Sequence, residues 1–204
     1  PNGLMNDFAH FWGFSDSDRS ILFPIADHLD FAIRRLQRGE QISNPLTDDI
    51  RIMFYKEYKV AGCIRDLLKE KLGIRIDEHE IGYIALHVHA AIVDENVSQA
   101  MEIARTVREC ICMVEEETGK SIDVMSLAYN RLMNHVRYMV ARAIHGEKLK
   151  MNLNDYMSVK FPEAFHASER ICREMEKRLG LPMPDIEIGY LAMHLERMLD
   201  SETE

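Results

Sequence analysis

Along most of the chain, apolar positions fall three and four residues apart. That is the period of a helix with one buried face; strand-like alternation in twos is absent. In "ILFPIADHLDFAIRRLQRG" the stripe runs through Ile25, Leu29, Ile33 and Leu36 and stops at Gly39, where a C-terminal cap is expected. "LAYNRLMNHVRYMVARAIHG" repeats the pattern and stops at Gly146. "EYKVAGCIRDLLKEKLG" and "AFHASERICREMEKRLG" form a second matched pair, closed by Gly73 and Gly180. Short turns containing Asp77 and Pro182-Pro184 then lead into two further helices, each acidic in its first turn as the helix dipole favours. A helix over about 97–117 presents Ala100, Met101, Ala104, Val107, Ile111 and Val114 on its apolar side. Every predicted element is helical, so the expected fold class is all-α.

The pairs are not coincidental. "EIGYIALHVHAA" at 80–91 nearly recurs as "EIGYLAMHLERM" at 187–198, a shift of 107 positions. The same shift superposes His28 on His135, Gly39-Glu40 on Gly146-Glu147, Phe54 on Phe161 and "EKLGI" on "KRLGL", without a gap. His28 to His87 spans 59 positions, and so does His135 to His194. The chain reads as a tandem duplication. Its two helical-bundle domains are expected at 1–95 and 96–204, the boundary falling in "DEN". The counterpart of helix 97–117 in front of the first copy would fall at about −10 to 10. With Pro1 as first residue, the expectation is that an N-terminal segment precedes this sequence.

Composition narrows the function. The 204 residues carry a formal charge of −9, which argues against a nucleic-acid surface formed by these residues. No apolar run approaches the roughly 20 residues of a membrane span, and no signal-peptide pattern opens the chain. Cys63, Cys110, Cys112 and Cys172 have neither CxxC nor disulfide-framework spacing, and read as reduced thiols, mostly buried, in a cytoplasmic protein.

On a helix Glu80, Tyr83 and His87 share a face, as do Glu187, Tyr190 and His194, so each histidine neighbours an acid and a phenol. His28 follows Asp27 and precedes Arg34 and Arg35; His135 follows Asn134 and precedes Arg137 and Arg142. A lone histidine on a mixed face is usually a hydrogen-bonded structural residue. Histidines kept at one separation in copies that differ at most other positions argue for shared chemistry. Metal ligation is weakened because "EAFH" at 163–166 faces "KEYK" at 56–59, and no HExxH occurs. Acid–base or nucleophilic catalysis lacks a Gly-rich phosphate loop, a GxSxG elbow or a Cys–His signature. Phosphoryl acceptance fits a neutral imidazole, and Arg34, Arg35 or Arg142 would hold the added charge. His10, His79, His89, His145 and His166 do not align between copies and are expected to be surface or incidental.

"DHLDFAIRRLQRGEQISNPL" (27–46) with "DEHEIGYIALHVHAA" (77–91), and "NHVRYMVARAIHGE" (134–147) with "PDIEIGYLAMH" (184–194), resemble the PTS regulation domains, or PRDs. These occur in transcriptional antiterminators related to the beta-glucoside operon regulator and in some transcriptional activators. The resemblance covers nearly the whole chain. It implies bundles of about five helices each, and phosphohistidines at His28, His87, His135 and His194. It also implies donors in the phosphoenolpyruvate:sugar phosphotransferase system, namely the phosphocarrier protein and a sugar-specific enzyme II. A homodimer is implied, with RNA bound only through a domain absent from this sequence; no cofactor, metal, membrane or enzymatic turnover is implied. In that family the first unit's phosphorylation typically inactivates and the second's activates. Asn134, standing where the first unit has Asp27, departs from the pattern. The regulatory half of a DNA-binding activator and a helical metalloprotein are the alternatives.

Overall fold

Glycine caps and short polar turns cut the chain into helices. The computed structural model describes residues 19–93, 96–123, 126–147, 149–180 and 182–200. They form α1 (Arg19–Gln37), α2 (Thr47–Met53), α3 (Tyr55–Leu72), α4 (Glu78–Val93), α5 (Val97–Thr118), α6 (Leu127–His145), α7 (Asn154–Lys160), α8 (Pro162–Leu179) and α9 (Ile186–Asp200). Among the described residues there is no strand, in agreement with the all-α expectation. The chain divides into two compact units between Glu102 and Ile103, inside α5, whereas the spacing predicts a boundary at 95–96. Residues 94–95 lie outside the described residues. So do His10 and the segment expected to mirror helix 97–117.

In the first unit α4 packs against α1, α2 and α3. Its aliphatic residues Ile81, Ile84, Ala85 and Leu86 are buried among Ile25 and Leu29 of α1, Ile50 of α2 and Ile64 and Leu68 of α3. Ile33 and Leu36, predicted on the α1 stripe, are only half-buried, and Ala32 takes the inward position instead. The second unit repeats the plan, with α9 against α6, α7 and α8. Leu132, Val136, Met157, Ile171, Met175 and Leu191 occupy the equivalent core positions. Helix α5 buries Ala104, Val107, Ile111 and Val114 as its pattern predicts, and Glu109 near its middle and Glu117 at its end pair with Arg178 and Arg170 of α8. Of the four cysteines, which are all free thiols, Cys110 and Cys172 are buried, Cys112 is half-buried and Cys63 is exposed.

The seven-residue helices α2 and α7 are not legible in the apolar pattern, because two turns are too few to show a period. A single residue joins each to the next helix: Phe54, at φ −116° and ψ 47°, and Phe161, at φ −136° and ψ 62°. The aligned phenylalanines thus mark a matched kink.

The shared Gly-Glu pair also has a backbone reason. Gly39 and Gly146 take φ values of +74° and +69°, which only glycine adopts without strain. The following N–H groups, of Glu40 and Glu147, donate to the carbonyls of Arg35 and Arg142 at 3.1 and 3.0 Å. The cap therefore ends each helix on the turn that carries its inward arginine.

Candidate functional site

Two turns of α1 separate His28 from Arg35, so both reach the same side, where α4 supplies Glu80, Tyr83 and His87. Glu80 is the hub. Its side chain is 2% exposed, and one carboxylate oxygen lies 2.7 Å from His28 Nε2 while the other accepts from Arg35 Nη2. Its own backbone N–H donates to Asp77 Oδ1 at 3.0 Å. Burial pushes the Glu80 carboxyl up, but the hydrogen bonds and charges of His28 and Arg35 outweigh it and hold the group below the usual carboxylate range. The His28 and His87 rings face each other with centroids 4.4 Å apart, and Tyr83 stands 6.3 Å from His28. The Tyr83 hydroxyl donates to the Ser43 carbonyl at 3.4 Å. Burial above all, and then neighbouring His28, pushes His87 down to about 4, with Glu80 pulling the other way.

The second unit assembles the same residue types differently. Arg142 takes both oxygens of Glu187, Nε donating at 2.7 Å and Nη2 at 2.8 Å, a bidentate fork around a carboxylate that is buried. His135 stacks on His194 at 4.5 Å and on Tyr190 at 6.3 Å, but its Nε2 is buried without a hydrogen-bond partner. Burial, with His194 and Arg142 adding to it, pushes His135 down to about 3. His194 is also lowered, by burial and then by Arg197 and Arg131. An open cavity of about 460 Å³ lies over the pair, lined also by Asn130, Arg131, Asn134, Tyr138 and Arg142.

Each glycine of the two "EIGY" motifs lets a polar loop approach the site helix. A Cβ on Gly82 would sit 2.9 Å from Asn44 Nδ2. One on Gly189 would meet Asn154 Oδ1 at 2.6 Å and the Asn154 backbone nitrogen at 2.9 Å. The Gly189 N–H donates to Asn154 Oδ1 at 3.0 Å, and Asn154 Nδ2 donates to the Asp185 carbonyl at 2.9 Å. Asn44 and Asn154 escape a repeat-based search because they occupy different columns of it: Asn154 aligns with Thr47, not Asn44.

Several expectations change on contact with the fold. Asp27, beside His28 in sequence, is exposed, and the acid that engages His28 is Glu80, 52 residues on. Arg34 also points outward and pairs with Asp30 at 3.0 Å, so Arg35 alone of that pair enters the site. Asn134 is exposed and donates to the Asn130 carbonyl at 2.8 Å. His79 and His89 are not incidental. His79 Nδ1 accepts from the Asn44 N–H at 3.2 Å, anchoring the loop beneath Gly82. The His89 ring lies against Phe54, tilted, with centroids 4.2 Å apart, and its Nδ1 lies 3.1 Å from Glu57 Oε1, steadying the α2–α3 kink. His145 and His166 are exposed as expected. Among the described residues no group of three or more His, Cys, Asp or Glu side chains is placed to hold a metal ion. No described helix is long and apolar enough to cross a membrane.

Comparison with known proteins agrees with this duplicated plan. The PRD domain model matches twice, at residues 4–91 and 108–198. The protein GlcT of Staphylococcus haemolyticus is 27% identical over 180 residues, covering 87% of this chain and 63% of its own length. The beta-glucoside operon antiterminator of Dickeya chrysanthemi is 26% identical, over 88% of this chain and 64% of its own length. The PtsGHI operon antiterminator of Bacillus subtilis is 27% identical, over 82% and 60%. The chain thus spans somewhat less than two thirds of these relatives. Two matched domains, each built on a facing histidine pair and a buried Glu–Arg contact, place the chain in the PRD domain family, as a tandem of two such domains.

Proposed function

We propose that this chain is the phosphorylation-controlled regulatory part of a transcriptional antiterminator. It senses sugar availability by accepting phosphoryl groups on His28, His87, His135 and His194. The donors are the phosphocarrier protein and a sugar-specific enzyme II of the phosphotransferase system, acting in the cytoplasm. It accepts phosphate and turns nothing over. Its output is homodimerisation, which governs RNA binding by a domain outside this sequence.

The observation that carries this reading is the repeated facing pair of imidazoles, 4.4 and 4.5 Å apart. His87 and His135, held at about 4 and 3, are neutral at physiological pH and keep a nucleophilic lone pair. The relatives named as antiterminators favour that output over a DNA-binding activator.

Intact-mass measurement after incubation with phosphoenolpyruvate, enzyme I and the phosphocarrier protein, with and without enzyme II, tests the reading. Phosphate gains that disappear with alanine at the four histidines support it. No gain with either donor set overturns it.

A further inference from the structure

We propose that the two histidines of the first unit accept phosphate on opposite ring nitrogens, His28 on Nδ1 and His87 on Nε2, with Glu80 as the positioning residue that sets the choice at His28. This rests on the phosphoryl-acceptor reading above and specifies its chemistry atom by atom.

The choice follows from which lone pair is free and reachable. His28 Nε2 lies 2.7 Å from a carboxylate oxygen of Glu80. Glu80 is ionised, because Arg35 holds its second oxygen, and an ionised carboxylate only accepts hydrogen bonds. Nε2 therefore carries the ring proton, and the lone pair of neutral His28 sits on Nδ1. The His28 side chain is 16% exposed and its hydrogen bond to Glu80 uses Nε2, so Nδ1 is neither engaged there nor sealed without a partner. His87 is arranged the other way round. Its Nδ1 is sealed from solvent with no partner, which leaves Nε2 as the nitrogen an incoming phosphoryl group can reach. In the second unit His135 Nε2 is the sealed atom, so His135 matches His28 in presenting Nδ1.

The transfer balances without an added reactant. The Nδ1 lone pair of His28 forms the new N–P bond as the N–P bond of the donor's phosphohistidine breaks, and the donor nitrogen keeps that bonding pair. The proton stays on His28 Nε2, so the phosphorylated ring is cationic and faces the Glu80 carboxylate. At His87 the same exchange occurs at Nε2, the ring proton remaining on Nδ1.

The test labels the whole chain with phosphocarrier protein charged from phosphoenolpyruvate, with and without enzyme II, and, in parallel, with phosphoramidate. Isomer-specific antibodies against 1- and 3-phosphohistidine then read two variants: H87A/H135A/H194A, which retains His28, and H28A/H135A/H194A, which retains His87. Nitrogen–phosphorus correlation NMR on the wild-type chain gives the same assignment should a variant fail to fold. The expected result is the Nδ1 isomer at His28 and the Nε2 isomer at His87. Glu80→Gln, whose amide can donate to Nε2, should abolish the Nδ1 preference at His28 and leave the His87 isomer as in wild type. The Nε2 isomer at His28, the Nδ1 isomer at His87, or a Glu80→Gln chain with the wild-type isomer at His28 overturns the inference. Correct isomers from phosphoramidate alone would sink the phosphotransferase reading and leave this one standing. No phosphohistidine from either reagent would sink both.

Discussion

The two histidine sites share their residue types but not their hydrogen bonds. In the first unit Glu80 divides its carboxylate between Arg35 and His28. In the second, Arg142 occupies both oxygens of Glu187 and the His135 ring is left to stacking. Around the pairs, Arg131 and Arg197 of the second unit replace Pro24 and Ala90 of the first. A duplicated motif therefore preserves which residues meet, while one or two substitutions at its edge redistribute charge. A phosphoryl group on the second pair, as proposed, would meet Arg131 and Arg197; one on the first would meet a buried carboxylate that already holds its cation.

The largest expected effect probes the shared part of the comparison. Glu187→Ala leaves Arg142, with a side chain only 16% exposed, without its counter-charge, and Glu80→Ala does the same to Arg35. Removing one partner of a buried pair costs about 3–5 kcal/mol, so denaturant melts of either variant should show its unit unfolding early. The bidentate Glu187 variant should lose at least as much as its counterpart.

Next come the two glycines, which sharpen the difference. Gly189→Ala drives a methyl into the Asn154 backbone, whereas Gly82→Ala meets chiefly the movable end of the Asn44 side chain. Overpacking of the first kind costs about 1–3 kcal/mol. The midpoint for Gly189→Ala should fall clearly below that for Gly82→Ala, and equal midpoints would break the distinction.

Acid should also separate the units. A histidine whose folded pKa lies below its unfolded value gives stability that is present above the unfolded value near 6.5 and is lost as pH falls toward the folded one. For His87 that window runs from about 6.5 to about 4, and for His135 from about 6.5 to about 3. Within it each histidine removes at most about 1.4 kcal/mol per pH unit. Stability from melts should therefore fall between pH 7 and 4, and His135→Asn should flatten the second unit's share of that fall. A profile unchanged by that substitution would contradict the assignment.

The smallest effect is that of Arg131→Ala. In the unmodified chain it should be nearly silent. After phosphorylation it should remove about 1 kcal/mol of the second unit's stability, the size of a partly screened ion pair. Arg34→Ala, on the outward face of α1, should do nothing in either state beyond a few tenths of a kcal/mol.

Much of this molecule was legible beforehand because its signals are local or repeated. The long helices follow from apolar spacing, and Gly39 and Gly146 end two of them through backbone conformations that other residues avoid. The histidine pairs announced themselves through an unbroken shift of 107 positions. The short helices α2 and α7 did not, since seven residues carry too little periodicity. Neither did His79 or His89, whose partners Asn44 and Phe54 lie 35 residues away in each case.

By itself, then, the sequence determined the helical class, the duplication and the four histidines, because helix period, capping and internal repetition are properties of neighbouring or aligned residues. Only the tertiary structure decided which acid meets which histidine, that Arg35 rather than Arg34 turns inward, and which ring nitrogens are engaged or buried without a partner. Those outcomes depend on how α1 packs on α4, and α6 on α9. Packing brings together residues 45 to 59 positions apart at distances of a few ångströms, and no local pattern encodes that approach.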